Sequence, residues 1–196
     1  MNKRIIEEGF KEILSNGLGL DLTNPGLLET PERIARMFCE ELFNSEDVKL
    51  TTFDNEGVFE NKEEFDEIIL FDAIPVSSMC EHHVLPFSGL AYFMYIPDKL
   101  IVGASKPARL FKKYSTRLQL QERIGKQVLK EFTDVVKPLG VMIVYHSVHA
   151  CMSCRGIKQT TGGGMTISLT WGVFRDDSAA RIEGLALVQI AQKERR

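Results

Sequence analysis

Apolar residues recur at helical spacing in two segments near the N-terminus. The first segment carries a stripe of five apolar residues, which are Ile5, Ile6, Phe10, Ile13 and Leu14. In the second, "LLETPERIARMFCEELF", Thr30 suits the N-cap and Pro31 suits the first helical position. The pattern therefore predicts an N-terminal helical element over residues 1–45 and a separate domain over residues 46–196.

Four segments of the second part are rich in β-branched and aromatic residues and are bounded by Pro and Gly, which is typical of strands. They cover residues 66–76, 88–97, 140–152 and 164–174. Two helices are predicted between the second and third strands, one from Ser105 and one from about Leu118, and a last helix near the C-terminus. The order ββααββ predicts an α+β fold, with an antiparallel four-stranded sheet and helices on one face. The open sheet edges predict oligomerisation.

Composition narrows the classes of protein. Of its residues, 44% are hydrophobic and 26% are charged. A membrane helix needs about 18 consecutive apolar residues, and no apolar run approaches that length. Its first residues alternate charged with aliphatic side chains, unlike a secretion signal. We therefore expect a cytoplasmic protein with no membrane partner.

The net charge of -3 conceals two segments of opposite sign. Residues 41–67 contain ten acidic and two basic residues, whereas residues 99–126 contain eight basic residues and one acidic residue. A basic segment in an acidic protein favours an anionic ligand over nucleic acid, which usually needs a broader basic surface. A solvated helix face is the alternative interpretation.

Cysteine and histidine are concentrated in two short windows. Seven of the eight Cys and His residues lie within residues 80–83 and 146–154. In a reducing compartment disulfides are disfavoured, so this clustering favours a metal site or a catalytic site.

Two metal sites are compatible with the spacing. Cys80 and His83 form a CxxH pair, and Cys151 and Cys154 form a CxxC pair. All four together would make a closed structural zinc site. The alternative is an open site of Cys80, His83 and Cys151 with water as the fourth ligand. If the strand stays extended, His149 and Cys151 share one face, and Cys154 lies beyond it.

Two further histidines flank the open site. Two thiolates and a neutral imidazole would offset the charge of Zn²⁺, so the metal would acidify its water less than three neutral ligands would. A nearby base is then needed, and His82 and His149 are the candidates for this proton transfer. His146 is interpreted as a hydrogen-bonded residue of the sheet.

The basic segment contains a candidate phosphate site. Ser105 can cap the helix that starts near Lys106, whose free amide groups would attract a phosphate. Lys106, Arg109 and Lys113 share one helical face. The pattern suits a polyphosphate, although the chain lacks the GxxxxGK[ST] loop of nucleotide hydrolases.

Glu122 is the only acid in the basic segment. Its carboxylate could accept two N–H bonds from the edge of a guanine ring. An intrahelical ion pair with Lys126, four residues further on, explains Glu122 equally well.

Several of these blocks together resemble one enzyme family. "GLLETPERIARMF", "SMCEHHVLPFSG", "GASKPARLFKKYSTRLQLQERI" and "HACMSCRGI" resemble the signature blocks of GTP cyclohydrolase I, in the same order, over about residues 17–190. The resemblance implies the tunnelling fold (T-fold), in which the sheets of several subunits join into a β-barrel and pentamers stack into a homodecamer. It also implies that GTP and water give formate and 7,8-dihydroneopterin triphosphate, the first step of pterin and folate biosynthesis.

The resemblance also assigns roles by motif. It implies that Cys80, His83 and Cys151 bind zinc. His149 would protonate the purine imidazole ring during attack of zinc-activated water at C8, and His82 resembles the second catalytic histidine. The implied substrate contacts, with active sites between subunits, are Glu122 for the guanine edge and Ser105, Lys106, Arg109 and Arg155 for the ribose and triphosphate.

Two features depart from the family's pattern and keep alternatives open. Cys154 is not required by the motif, and the "TTGGGMTIS" loop is richer in glycine than the family's loop. Another T-fold enzyme acting on a purine or pterin, such as a nitrile reductase, is one alternative. A non-catalytic, zinc-stabilised ring that binds nucleotide is the other.

Overall fold

The computed structural model describes residues 1–43, 57–159 and 163–194. The chain divides into two compact units, Met1–Asp47 and Val48–Arg196. Residues 44–56 of the acidic segment and residues 160–162 of the glycine-rich loop lie outside the described residues. Within the described ranges, no helix combines the length and the apolar character needed to cross a lipid bilayer.

The first unit contains two helices, α1 (Lys3–Glu12) and α2 (Thr30–Met37), each of which continues into one wider π-helical turn. The helices pack through the rings of Phe10 and Phe38, whose centroids are 5.6 Å apart. Thr30 was predicted as the cap of α2 but is its first helical residue. Glu29 already has a helical backbone, so the helix begins one residue earlier than predicted.

The second unit is built on a five-stranded sheet in the order β5-β2-β3-β6-β7. Its strands are β2 (Ile69–Cys80), β3 (Pro86–Ile96), β5 (Leu118–Gln119), β6 (Gly140–His149) and β7 (Met165–Gly172), and β1 (Val58–Glu60) pairs separately with β4 (Leu100–Val102). The four long strands are antiparallel, as predicted. The fifth, β5, pairs in parallel with the end of β2 and was missed because it has only two residues.

Helices cover both faces of this sheet. They are α3 (Lys106–Ser115), α4 (Gln121–Val136), α5 (Ala150–Ser153), α6 (Val173–Asp176) and α7 (Ser178–Lys193). Helices α3 and α4 pack on the face that carries Phe93 and Tyr95, whereas α6 and α7 pack on the face that carries Tyr92 and Met94. The prediction of helices on one face was therefore wrong. Consecutive apolar residues in β3 are buried on both faces, as in a covered sheet.

Strands β3 and β6 approach closely where the candidate site begins. Gly89 lies opposite Ser147, and a Cβ atom at Gly89 would stand 1.8 Å from the carbonyl oxygen of His146. Glycine is therefore required for the two backbones to pair here. Two residues further along, Phe87 pairs with His149 and fixes the position of the last residue of β6.

Phe132 on α4 provides a test of the main core. It is fully buried, and its ring meets those of Phe93 and Tyr95 at centroid distances of 4.7 and 5.1 Å. Phe132→Ala should lower the free energy of unfolding by about 3–5 kcal/mol because it leaves a cavity. Val135→Ala, an exposed position on the same helix, should change it by no more than about 0.5 kcal/mol. Urea unfolding at equal protein concentration measures both, and equal losses would contradict this description of the core.

Candidate active site

The turn between β2 and β3 holds three of the predicted site residues, Cys80, His82 and His83. The amide of Cys80 donates to the carbonyl of Leu85 at 2.9 Å, and the amide of Val84 donates back to the carbonyl of Cys80 at 2.9 Å. Val84 has a left-handed φ of 52°, which is unfavourable for a β-branched residue. The turn is thus a tight, strained connection of the kind that clusters at functional sites.

Cys80, His83 and Cys151 converge on one point. One potential ligand atom from each lies within 4.8 Å of the others, and this is the only group of three or more Cys, His, Asp or Glu side chains so placed among the described residues. The Cys80 sulfur is 4.0 Å from the Cys151 sulfur and 3.9 Å from Nδ1 of His83. Two sulfurs each about 2.3 Å from a tetrahedral zinc ion would be about 3.8 Å apart. The donor set and its spacing therefore fit Zn²⁺.

His82 lies beside this group but does not belong to it. Its Nδ1 is 4.0 Å from the Cys80 sulfur, about as close as that of His83. Only His83 also comes within reach of Cys151. Both histidine side chains are exposed, and their rings meet edge to face at 6.1 Å. His82 is thus an exposed histidine next to the group and not a member of it.

Cys151 and Cys154 differ in their surroundings. The predicted extended strand ends at His149, and Ala150–Ser153 forms the short helix α5, so Cys151 reaches the site from a helical turn. Burial, followed by the neighbouring Cys80, raises the pKa of the Cys151 thiol. Cys154 is exposed and lies outside the three-residue group. This arrangement fits the open site and not the closed one.

His149 is held on two sides at the end of β6. It is 9% exposed, and its ring stacks on that of Phe87 at a centroid distance of 4.6 Å and an angle of 7°. Its Nε2 lies 2.8 Å from the side-chain oxygen of Gln121. Burial lowers the pKa of His149, and the charge of Glu122 opposes this shift. A buried imidazole that has a shifted pKa and is held in one position is a candidate for proton transfer.

The start of α4 contributes residues that sequence reasoning missed. Gln121 contacts His149, and Arg123 binds Glu81 of the turn through two nitrogen–oxygen contacts of 2.5 and 3.1 Å. Hydrogen bonding to Arg123 holds the pKa of Glu81 below its usual value. The adjacency of Gln121 and Arg123 to Glu122 in "QER" was the available signal.

Glu122 itself is exposed beside His149. Among the described residues it forms no salt bridge with Lys126, so the ion-pair interpretation is not supported. Arg155 follows α5 and is also exposed. Its positive charge acts to lower the pKa of the Cys151 thiol, against the larger effect of burial. Glu122 is therefore near His149, Arg155 is near Cys151, and both side chains are exposed.

The predicted phosphate residues lie at the N-terminus of α3. Ser105 occupies the N-cap position, but its side chain does not bond to the helix as predicted, because its own backbone is already helical. Lys106 is only 5% exposed, and its stem lies against Gly57. Arg109 is exposed. Lys113, predicted on the same face, instead pairs with Glu131 at 2.7 Å.

Comparison with known proteins agrees with these features. The sequence profile of GTP cyclohydrolase I matches residues 6–189. The chain belongs to the GTP cyclohydrolase I family. It is 43% identical over 191 residues to "GTP cyclohydrolase 1" of Caldanaerobacter subterraneus subsp. tengcongensis, covering 96% of this chain and 97% of that protein. It is 40% identical to "GTP cyclohydrolase 1" of Saccharomyces cerevisiae, covering 87% of this chain and 68% of that one.

Family membership confirms the predicted resemblance and the α+β T-fold class. Among solved structures, apo archaeosine synthase QueF-Like matches 54% of this chain and 93% of its own, at 16% identity and a TM-score of 0.42. That similarity is too low to support a conclusion. The family assignment therefore rests on the sequence comparisons.

The four cysteines should differ in reactivity. In metal-free protein, iodoacetamide should modify exposed Cys154 fastest and Cys80, which is 5% exposed, slowest, because alkylation needs access and a thiolate. Added Zn²⁺ should protect Cys80 and Cys151 and leave the rate at Cys154 unchanged. Peptide mass spectrometry at timed intervals gives each rate. Equal zinc protection of Cys154 would instead indicate a closed site.

Proposed function

We propose that this protein is a zinc-dependent GTP cyclohydrolase I, which hydrolyses the guanine imidazole ring of GTP at C8, releases formate and forms 7,8-dihydroneopterin triphosphate. Its family and its relatives named GTP cyclohydrolase 1 support this activity. The strongest structural support is the Cys80–His83–Cys151 group, because its sulfur and nitrogen atoms have the spacing of a three-ligand zinc site. Such a site leaves one position for a reacting molecule.

Cys80, His83 and Cys151 would hold Zn²⁺. When bound, the ion would supply Lewis-acid chemistry and make a water molecule more acidic. The described cysteines are all free thiols, and free thiols persist in a reducing compartment, where disulfides are disfavoured. The free thiols therefore support the proposed cytoplasmic location.

His149 and His82 are the proposed proton carriers. His149 protonates an imidazole nitrogen that is bonded to C8, which makes C8 more electrophilic. Protonation also weakens the carbon–nitrogen bond that breaks when the ring opens. Its burial and its stacking on Phe87 keep the imidazole in one place. His82, exposed beside Cys80, exchanges protons between the reacting water and solvent.

Glu122 and the basic residues would bind the rest of the substrate. The Glu122 carboxylate accepts hydrogen bonds from N1–H and from the 2-amino group of guanine. Its exposure beside His149 supports this role. Ser105 at the N-cap of α3, Lys106 and Arg109 within α3, and Arg155 after α5 bind the ribose and triphosphate. The positive end of α3 adds to the attraction for phosphate.

We further propose a homodecamer, a dimer of pentamers, with active sites between subunits. Strand β7 pairs only with β6 among the described residues, so its other edge is available to a second sheet. Residues 46–196 form the catalytic T-fold domain of this assembly, and residues 1–45 form a helical element. Sedimentation velocity measures the assembly state.

Incubation of the zinc-loaded protein with GTP tests the activity. We expect equal amounts of formate and of a fluorescent pterin after oxidation. Cys151→Ser should lose both zinc and turnover, whereas Cys154→Ser, a matched change three residues away, should keep both. His149→Ala should keep zinc but lose about 10²–10⁴-fold in turnover. Zinc-loaded wild-type protein that binds GTP without forming products would support the non-catalytic ring instead.

Glu122 provides a test of guanine recognition. Glu122→Ala should lower kcat/KM for GTP by about 10–100-fold, because it removes charge-assisted hydrogen bonds worth about 1.5–3 kcal/mol. Inosine triphosphate lacks the 2-amino group, so its kcat/KM should fall less, and the preference for GTP should shrink. Lys126→Ala, an exposed position one turn further along α4, is the control and should leave the preference unchanged. An undiminished preference in Glu122→Ala would exclude the proposed contact.

A further inference from the structure

Gln121 is a buried polar residue whose burial the packing of the apolar core does not explain. It is the first residue of α4 and is 1% exposed. Its side-chain nitrogen lies 2.9 Å from the carbonyl oxygen of Tyr145 and 3.0 Å from that of Met165. Its side-chain oxygen lies 2.8 Å from Nε2 of His149. Every hydrogen-bonding group of the amide nitrogen is therefore used, and the oxygen faces the histidine.

The two carbonyl groups determine the orientation of the Gln121 amide. A backbone carbonyl oxygen can only accept, so both neighbours of the Gln121 nitrogen require a donor. A flipped amide would place its oxygen against two carbonyl oxygens and would leave buried polar atoms without partners, which is costly. The side-chain oxygen must therefore face His149, where it can only accept.

The same reasoning extends to the histidine ring. An oxygen that can only accept, 2.8 Å from Nε2, requires a proton on Nε2. In a neutral imidazole the other nitrogen, Nδ1, then carries the lone pair. No hydrogen bond to Nδ1 of His149 occurs within the described ranges, so no neighbour there competes for that lone pair.

We propose that Gln121 is a positioning residue that holds His149 in its Nε2–H tautomer, so that Nδ1 is the ring nitrogen that exchanges a proton with the substrate. Phe87 restrains the plane of the ring by stacking, and Gln121 restrains its edge. Together they restrict the ring to one orientation, in which Nδ1 is the nitrogen that can exchange a proton. The statement about the substrate rests on the proposed function, whereas the position of the proton on the ring does not.

The chemistry explains why such a restraint is useful. A histidine that delivers a proton from Nδ1 must keep the proton on Nε2 throughout, because loss of that proton would create an anionic ring. Gln121 accepts a hydrogen bond from Nε2–H in both the neutral and the charged ring, so it need not rearrange when Nδ1 gains or loses its proton. Fixed partners that do not reorganise are those that support proton transfer best.

Gln119 provides a matched control. It is also 1% exposed, and its amide nitrogen donates to the carbonyl of Tyr114 at 2.9 Å and to the side chain of Gln127 at 2.7 Å. None of its hydrogen bonds reaches a histidine. Gln119→Met therefore removes an equally buried amide without touching the ring of His149.

Nitrogen-15 NMR of the zinc-loaded full chain, labelled at the histidine rings, tests the tautomer. Loss of signals in His149→Ala assigns the ring. Above the histidine pKa range, the wild type should show a protonated Nε2 with a slowly exchanging proton and an unprotonated Nδ1. Gln121→Met should lose this slow exchange, whereas Gln119→Met should retain it. A proton on Nδ1 of the wild type would overturn the proposal, even if no variant folds.

Steady-state kinetics test the positioning role. Gln121→Met should lower kcat by about 10–100-fold, the usual effect of removing the partner that orients a working histidine. KM for GTP should change far less. An unchanged kcat in Gln121→Met, with the slow proton lost, would refute the positioning role.

The two proposals fail in different ways. A protein that has the Nε2 proton but forms no formate from GTP keeps the tautomer assignment and refutes the proposed function. An active cyclohydrolase whose His149 carries its proton on Nδ1 refutes only the role of Gln121.

Discussion

The register between β3 and β6 is the constraint on which the candidate site depends. It places Phe87 opposite His149, so the turn after β2 and the turn after β6 meet at the same end of the sheet. A slip of one residue would send every side chain of β6 to the opposite face. Cys151 would then no longer face Cys80. The buried apolar residues on both sides of β3 and the missing Cβ of Gly89, two residues from Phe87, set this register.

Contacts from the start of α4 fix the positions of the two turns more closely. The parallel pairing of β5 with the end of β2 brings the start of α4 beside Cys80. From there, Arg123 binds Glu81 on one side, and Gln121 binds His149 on the other. Helix α4 is itself held by Phe132 and its neighbours in the core. The core therefore positions both turns through one rigid element, which is how a site keeps its geometry.

Much of this could be predicted from the sequence because the signals were local. Period and composition identified the four long strands. The two short windows of Cys and His contained the three residues that converge, but their spacing alone was compatible with both the closed and the open site. Longer-range features could not be predicted. The bonds from Gln121 to Tyr145 and Met165 join residues far apart in the chain, and no local pattern marks them. The helical turn of α5 was also missed, since "HACM" continues an apolar run that reads as strand.

The charges of the basic segment were only partly interpretable for the same reason. Lys113 shares a helical face with Lys106 and Arg109, but its partner Glu131 comes from the next helix. Helical spacing shows which side chains share a face. Only the packing of α3 on α4 shows that this lysine is already neutralised.

The exposure of the site sets the last constraint. In a single chain His82, His83, Glu122 and Arg109 are all exposed. Charges in water are strongly screened, and electrostatic stabilisation of a reaction is worth far more where water is excluded. A catalytic site with this composition therefore needs a cover. A second subunit, as in the proposed assembly, would be such a cover, whereas His149 and Gln121 are already buried within their own chain.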